Sequence, residues 1–261
     1  TVYLMADIDL GARPENGDWT SEESKTANAD LNWTPIGKLL SGNEIKAFTG
    51  TFEGNNHVIR GAYVSVNGKH VGIFGNSHTI QNLTVKDSYI YGIGEYIDKD
   101  DVGAAIVGGM VGALRSGEIN NCHNINTTVT GESRNIGGIA GQANGSIIDC
   151  SNSGNVNGTD NTSISIGGII GAFQGQVKGC INTGTVTAAE GGYVGGIVGA
   201  DACDAVNEIE SKTVLCINRG IVSGVAEVGG IIGNACGTVS RCYNEGTVLG
   251  SGENIGGICG L

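Results

Sequence analysis

Apolar residues come in short runs broken by glycine, asparagine, serine and threonine, and from residue 108 this pattern becomes periodic. One phrase occurs six times: Gly108-Gly-Met-Val-Gly112, Gly137-Gly-Ile-Ala-Gly141, Gly167-Gly-Ile-Ile-Gly171, Gly195-Gly-Ile-Val-Gly199, Gly229-Gly-Ile-Ile-Gly233 and Gly256-Gly-Ile-Cys-Gly260. The starts are 29, 30, 28, 34 and 27 residues apart. Between them lies Cys-x-Asn, at Cys122/Asn124, Cys150/Asn152, Cys180/Asn182, Cys216/Asn218 and Cys242/Asn244. A valine among small or polar neighbours follows, at Val129, Val156, Val186, Val222 and Val248. Each unit therefore predicts three short β-strands joined by tight turns.

Earlier, less regular copies fit the same frame. Leu83 takes the Cys position before Thr84-Val85, and Ala62 takes it one copy before. Cys, Leu and Ala exchange freely where a side chain faces an apolar interior, which places the Cys column inside. A repeating unit of three strands that returns to its start one level higher predicts an all-β parallel β-helix (β-solenoid). It is taken as right-handed by default, with coils of about 21–36 residues and rungs about 4.8 Å apart. The Asn column then forms a ladder of amides, each bonded to the rungs above and below. A four-stranded propeller blade needs about 40–45 residues, more than these spacings.

Composition narrows the class further. Glycine supplies 47 of 261 residues, proline two and asparagine 25, a mixture poor in helix formers. A hydrophobic fraction of 39% and a mean hydropathy of +0.03 suffice for a core. The net charge of −12 and a pI near 4.6 speak against nucleic acid or an anionic membrane surface as partner. No apolar run reaches the ~20 residues of a membrane-spanning helix, so membrane insertion is not expected. Eight cysteines without a C-x-x-C pair give little support to a structural zinc site.

The repeat phrases, with Asn32-Trp-Thr-Pro-Ile-Gly37 and Phe48-Thr-Gly-Thr-Phe-Glu-Gly54-Asn-Asn-His57, resemble the GLUG-motif proteins. The resemblance covers nearly the whole chain. It implies a bacterial surface or secreted protein of adhesin-like or IgA-protease-like build, hence an extracellular or cell-surface location. Family members that are proteases carry a zinc motif His-Glu-x-x-His, which is absent here.

Residues 1–47 lack the repeat and are expected to form an N-terminal cap and leading strand, with Trp19 and Trp33 covering the open end of the lumen. Residues 48–261 are expected to form the β-helix. The sixth phrase ends at Gly260-Leu261 without a capping segment, so the reading expects a longer native chain.

Two acidic insertions break the period, Gly92–Asp101 and Asp201–Glu210, and both are read as corner loops. Tyr91, Tyr96, Asp98, Asp100 and Asp101 form the candidate binding set. The tyrosines offer stacking surfaces, and Asp98, Asp100 and Asp101 offer hard oxygen ligands for Ca²⁺. They lack the glycine and distal glutamate of an EF-hand loop, and no other cofactor is implied. Cys122, Cys150, Cys180, Cys216 and Cys242 are expected to be buried and unbonded, because stacked Cβ atoms lie farther apart than the ~3.8 Å a disulfide prefers. Cys203 and Cys236, at near-equivalent positions on successive rungs, are the pair that could form one.

Three function classes follow. The leading one is a non-catalytic segment of a surface or secreted protein, an adhesion scaffold or a stalk, whose partner would be a host or cell-surface protein or a glycan. A carbohydrate-active lyase or hydrolase is the alternative, since many β-helices are such enzymes. The Asp100-Asp101 pair resembles that of pectin hydrolases, but the accompanying Gly-His-Gly and Arg-Ile-Lys phrases are missing, so no catalytic residue is assigned. Binding to ice or a crystal surface is third. Thr128-Val-Thr130 and Thr185-Val-Thr187 suit it, but Asn155/Asn157 and Ile221/Ser223 interrupt the array.

Overall fold

The computed structural model describes residues 1–37, 46–93, 105–160, 164–202 and 210–261. Every strand pairing in it is parallel, and the strands stack into a β-helix with four sides, not three. One coil illustrates the circuit. Ala140–Ile148 forms a long first side, Ser151–Asn152 a short second side, Val156–Gly158 the third and Ser165–Gly167 the fourth. The next coil then starts at Ile170–Lys178.

The expectation of three strands per coil is corrected at the Gly-Gly phrase. That phrase is not one strand but a corner: Asn135–Gly137 ends the fourth side, Gly138 and Ile139 turn, and Ala140 opens the first side. The glycines serve close approach. A Cβ on Gly137 would lie 1.9 Å from the Ala140 carbonyl oxygen, and one on Gly138 would lie 2.2 Å from the Gly168 carbonyl oxygen. Neither glycine has positive φ, so the requirement is space and not a left-handed backbone.

The corner between the first and second sides has the opposite requirement. Its residue is left-handed in every repeat, with φ of 55° at Asn82, 49° at Asn121, 51° at Asp149, 66° at Gly179, 58° at Leu215 and 54° at Arg241. Asn, Asp and Gly suit this conformation, whereas Leu215 and Arg241 adopt it at a cost of about 1 kcal/mol each.

Inside, each coil adds one apolar layer. Ile136, Ile166 and Val194 stack on the fourth side and Val129, Val156 and Val186 on the third, all fully buried. Ile119, Ile147 and Val177 do the same on the first side. Eight rungs run along the first side, from Val2–Tyr3 to Ile232–Asn234, a stack about 34 Å long at ~4.8 Å per step.

The N-terminal segment starts within the helix. Val2–Tyr3 pairs with Phe48–Glu53, and Ile8–Asp9 pairs with Val58–Arg60. A short helix, Glu22–Asn28, is capped by the Ser21 hydroxyl, which accepts the Ser24 N–H. The two tryptophans do different things. Trp33 packs on the main core and donates its indole N–H to the Ile73 carbonyl at 3.2 Å, whereas Trp19 lies along the side of the solenoid. The reason is that Tyr63 and Tyr89 stack in register and face outward on the third side, offering Trp19 an aromatic surface to cover.

The second acidic insertion is also placed differently from expectation. Val198–Asp201 and Lys212–Val214 both pair with Ile170–Lys178, so the insertion splits one long first-side strand and does not lengthen a corner. It enters where neighbouring rungs already bend, at Gly117 and Gly175, both with positive φ.

Candidate functional site

Of the candidate binding set, Tyr91 lies within the described residues, while Tyr96, Asp98, Asp100 and Asp101 lie outside them. Tyr91 sits on Tyr89–Ile93 of the third side, immediately before the first residue of the first insertion, Gly92. Its hydroxyl reaches Glu132 Oε1 at 3.5 Å, and its ring stacks on Tyr89 with centroids 6.2 Å apart. Burial, with the neighbouring Glu132 carboxylate, raises the Tyr91 phenol above its ordinary pKa. Tyr91 is therefore the half-buried end of a run of four rings. Trp19, Tyr63 and Tyr89 are all buried, with Tyr63 and Tyr89 centroids 5.6 Å apart.

The run could have been seen in the sequence, because Tyr63 and Tyr89 occupy the same repeat position on successive coils. Trp19 could not, since nothing in its local pattern directs it to that face. Beside it is a depression of about 240 Å³ lined by Arg13, Pro14, Trp19, Arg60, Asp87 and Asn126. Its positive charge is already engaged: Arg13 and Arg60 both donate to the Asp9 carboxylate, at 2.7 and 3.0 Å. Arg13 above all holds that exposed carboxyl down at about 2.

At the second insertion, Asp201 is a structural clamp. Its carboxylate accepts the Cys236 N–H at 2.6 Å and the Gly237 N–H at 3.1 Å on the next rung, while burial raises its pKa. Glu210 accepts a hydrogen bond from the Thr238 hydroxyl. Cys236 is disulfide-bonded, and Cys203, expected as its partner, falls outside the described residues. Among the described residues no group of three or more His, Cys, Asp or Glu is arranged to hold a metal ion, and the Ca²⁺ candidates lie outside them.

The Cys and Asn columns run through the lumen. Cys122, Cys150, Cys180 and Cys216 are buried and Cys242 is half-buried, all as free thiols. Burial pushes the Cys150 thiol well up, and the adjacent Cys180 thiol pushes Cys216 up to about 12. Asn124 donates to Asn152, Asn152 to Asn182, Asn182 to Asn218 and Asn218 to Asn244, each at 2.9 Å. From Asn152 onward each side chain also accepts the N–H, and donates to the carbonyl, of the glycine two residues later. The second glycine of the first five Gly-Gly phrases faces this ladder, whereas Gly257 in the sixth has nothing within 4 Å of its Cβ position. A Cβ on Gly168 would lie 2.5 Å from Asn182 Cγ, and one on Gly196 would lie 2.4 Å from Asn218 Cγ. Two phrases that look independent along the chain thus fit each other across the lumen.

Two histidine pairs stand apart from the ladder. His123 Nδ1 is 2.8 Å from the Ser151 hydroxyl, and His57 Nδ1 is 2.9 Å from Asp7. Asp149, the carboxylate preceding a repeat Cys, is exposed at its left-handed corner.

Comparison with known proteins agrees with this architecture. Residues 132–157 match the GLUG motif. A stretch of 143 residues, 53% of the chain, is 33% identical to halomucin of Haloquadratum walsbyi (strain DSM 16790 / HBSQ001), of which it spans 1%. The fold resembles the crystal structure of a Bacteroides ovatus protein described provisionally as an immunoglobulin A1 protease. The TM-score is 0.65 with 21% identity, over 96% of this chain and 76% of that one. At that identity the likeness concerns fold alone.

Proposed function

We propose that this chain of GLUG repeats is a non-catalytic β-helical segment of a cell-surface or secreted protein, serving as a scaffold that presents a binding loop. The observation that carries the reading is the stack of eight parallel rungs along the first side, a stiff rod with Tyr91 on its third side just before the first insertion in the sequence. Rigid solenoids with loops at their corners commonly place binding on the loops. The similarity to halomucin supports a surface or secreted setting. The absence of His-Glu-x-x-His from the sequence supports a role without zinc proteolysis. The partner would be a host or cell-surface protein or a glycan that stacks on Tyr91 and bonds the acidic loop.

The test is adhesion of beads bearing the chain to arrays of glycans and matrix proteins, with and without residues 93–100. Adhesion that falls at least several-fold on deletion, with an unchanged circular-dichroism spectrum, supports the reading. Unchanged adhesion refutes the loop's role and leaves a stalk. Hydrolysis of peptide or polysaccharide substrates by the same beads would refute the non-catalytic part.

A further inference from the structure

The column Cys122, Cys150, Cys180, Cys216 and Cys242 places five free thiols on consecutive rungs. The residues that follow them pair in register, His123 with Ser151, then Ile181, Ile217 and Tyr243, so the sulfurs repeat at the rung spacing of about 4.8 Å. All five have one orientation, each donating to the carbonyl oxygen two residues earlier at 3.2–3.4 Å. This spacing is too long for disulfides between neighbours, but it matches two metal–sulfur bonds of about 2.3 Å laid end to end.

The surroundings select the ion. Ile119, Ile147 and Val177 wall the column with apolar side chains, their backbone carbonyls accept from Cys150, Cys180 and Cys216 at 3.6–3.7 Å, and no group of three or more His, Cys, Asp or Glu among the described residues is arranged to hold a metal ion. An ion that needs three or more side-chain ligands finds no such set among the described residues. Paired thiolates favour soft cations, and a divalent one gives a neutral product, which an apolar lumen tolerates far better than a net charge. The geometry points to a linear two-coordinate site between adjacent rungs of the Cys column for a soft divalent d¹⁰ cation of the Hg(II) type.

Binding converts M²⁺ and two thiols into a neutral RS–M–SR unit and two released protons. Two S–H bonds break, two M–S bonds form, and no electron changes hands. Cys242, half-buried at the end of the column, is the point of access. Five thiols make two adjacent pairs with one left over, so each chain holds two ions.

Removing one thiol gives a pattern that depends on its place in the column. Cys180→Ala leaves the pairs Cys122/Cys150 and Cys216/Cys242, so two ions remain. Cys150→Ala and Cys216→Ala each leave only one pair, so one ion remains. Alanine is compatible with the position, because Ala62 occupies it in an earlier coil at 0% exposure, and Leu83 does so at 1%. Cys150→Leu therefore provides a second variant should Cys150→Ala fold poorly.

The experiment is titration of the full chain with HgCl₂, with absorption and proton release read first and excess small monothiol added afterwards to strip ions held by a single sulfur. Native mass spectrometry counts the bound ions, and sulfur-to-mercury absorption and proton release report the bonding. The expected counts are two for wild type, two for Cys180→Ala, and one each for Cys150→Ala and Cys216→Ala, with two protons per ion. Equal counts in all four proteins, retention that depends on Cys259, or no retained ion would overturn the proposal.

Discussion

Replacing Asn182 with alanine perturbs the middle of the amide ladder, and its cost can be worked out from four hydrogen bonds. The Asn182 amide donates to Asn218 and to the Gly184 carbonyl, and it accepts from Asn152 and from the Gly184 N–H. Asn152 keeps its bond to the Gly154 carbonyl, and Asn218 keeps the Gly220 N–H. The Gly184 N–H, at a buried corner, keeps no partner among the described residues. One orphaned buried donor costs ~1–3 kcal/mol, and the weakened neighbours add to it, so Asn182→Ala should cost about 2–3 kcal/mol.

The bottom of the ladder supplies the control. Asn124 stacks on Val85, and its Oδ1 is a buried acceptor with no donor, because Asn126 replaces the glycine found two residues after the other ladder asparagines. Asn124→Val removes that orphan while Asn152 Oδ1 keeps the Gly154 N–H, so stability should be unchanged or higher by up to about 1 kcal/mol. Urea unfolding and hydrogen exchange at Gly184 measure the pair. Equal destabilisation by the two substitutions would refute the hydrogen-bond argument and leave disturbed packing as the cause. So would an unaltered Gly184 amide in Asn182→Ala.

Three further outcomes are expected. Leu215→Gly relieves a left-handed residue in a corner where Gly179 stands one rung before, and should raise stability by about 0.5–1 kcal/mol in urea unfolding; a loss would show that the exposed Leu215 side chain matters more than its backbone. Gly168→Ala forces a Cβ to 2.2 Å from the Gly196 carbonyl and 2.5 Å from Asn182, so a loss of at least about 3 kcal/mol or failure to fold is expected, and a native-like denaturation midpoint would contradict the close-approach argument. Burial, assisted by Arg115 and Lys69, holds the half-buried His70 imidazole down at about 4 against 6.5, while Asn76 donates to its Nδ1 at 2.7 Å. The unfolded chain therefore takes up this proton first, and stability present above pH 6.5 falls as pH drops towards 4, by at most about 3 kcal/mol. His70→Gln should flatten that slope in pH-dependent unfolding, and an unchanged slope would remove His70 as its source.

The sequence by itself determined the solenoid, its period and the composition of its columns. The physical reason is that in-register parallel stacking places each residue on its own copy, so Cys122 to Cys242 and Asn124 to Asn244 read along the chain as they stand along the axis. The break in the period after Tyr91 shows in the sequence, whereas its place at the end of the ring run with Tyr63 and Tyr89 came only with the stacked coils. The tertiary structure alone decided the four sides, because a corner built by close backbone approach has the same residues as a short strand. It alone showed that Gly168 makes room for Asn182, since the two meet across the lumen and not along the chain. The left-handed corner stayed hidden because Leu215 and Arg241 share it with Asn121, Asp149 and Gly179, and rung pairing overrides their local preference. Trp19 was likewise undecidable in sequence: its surface is made by Tyr63 and Tyr89, which come together only when two coils stack.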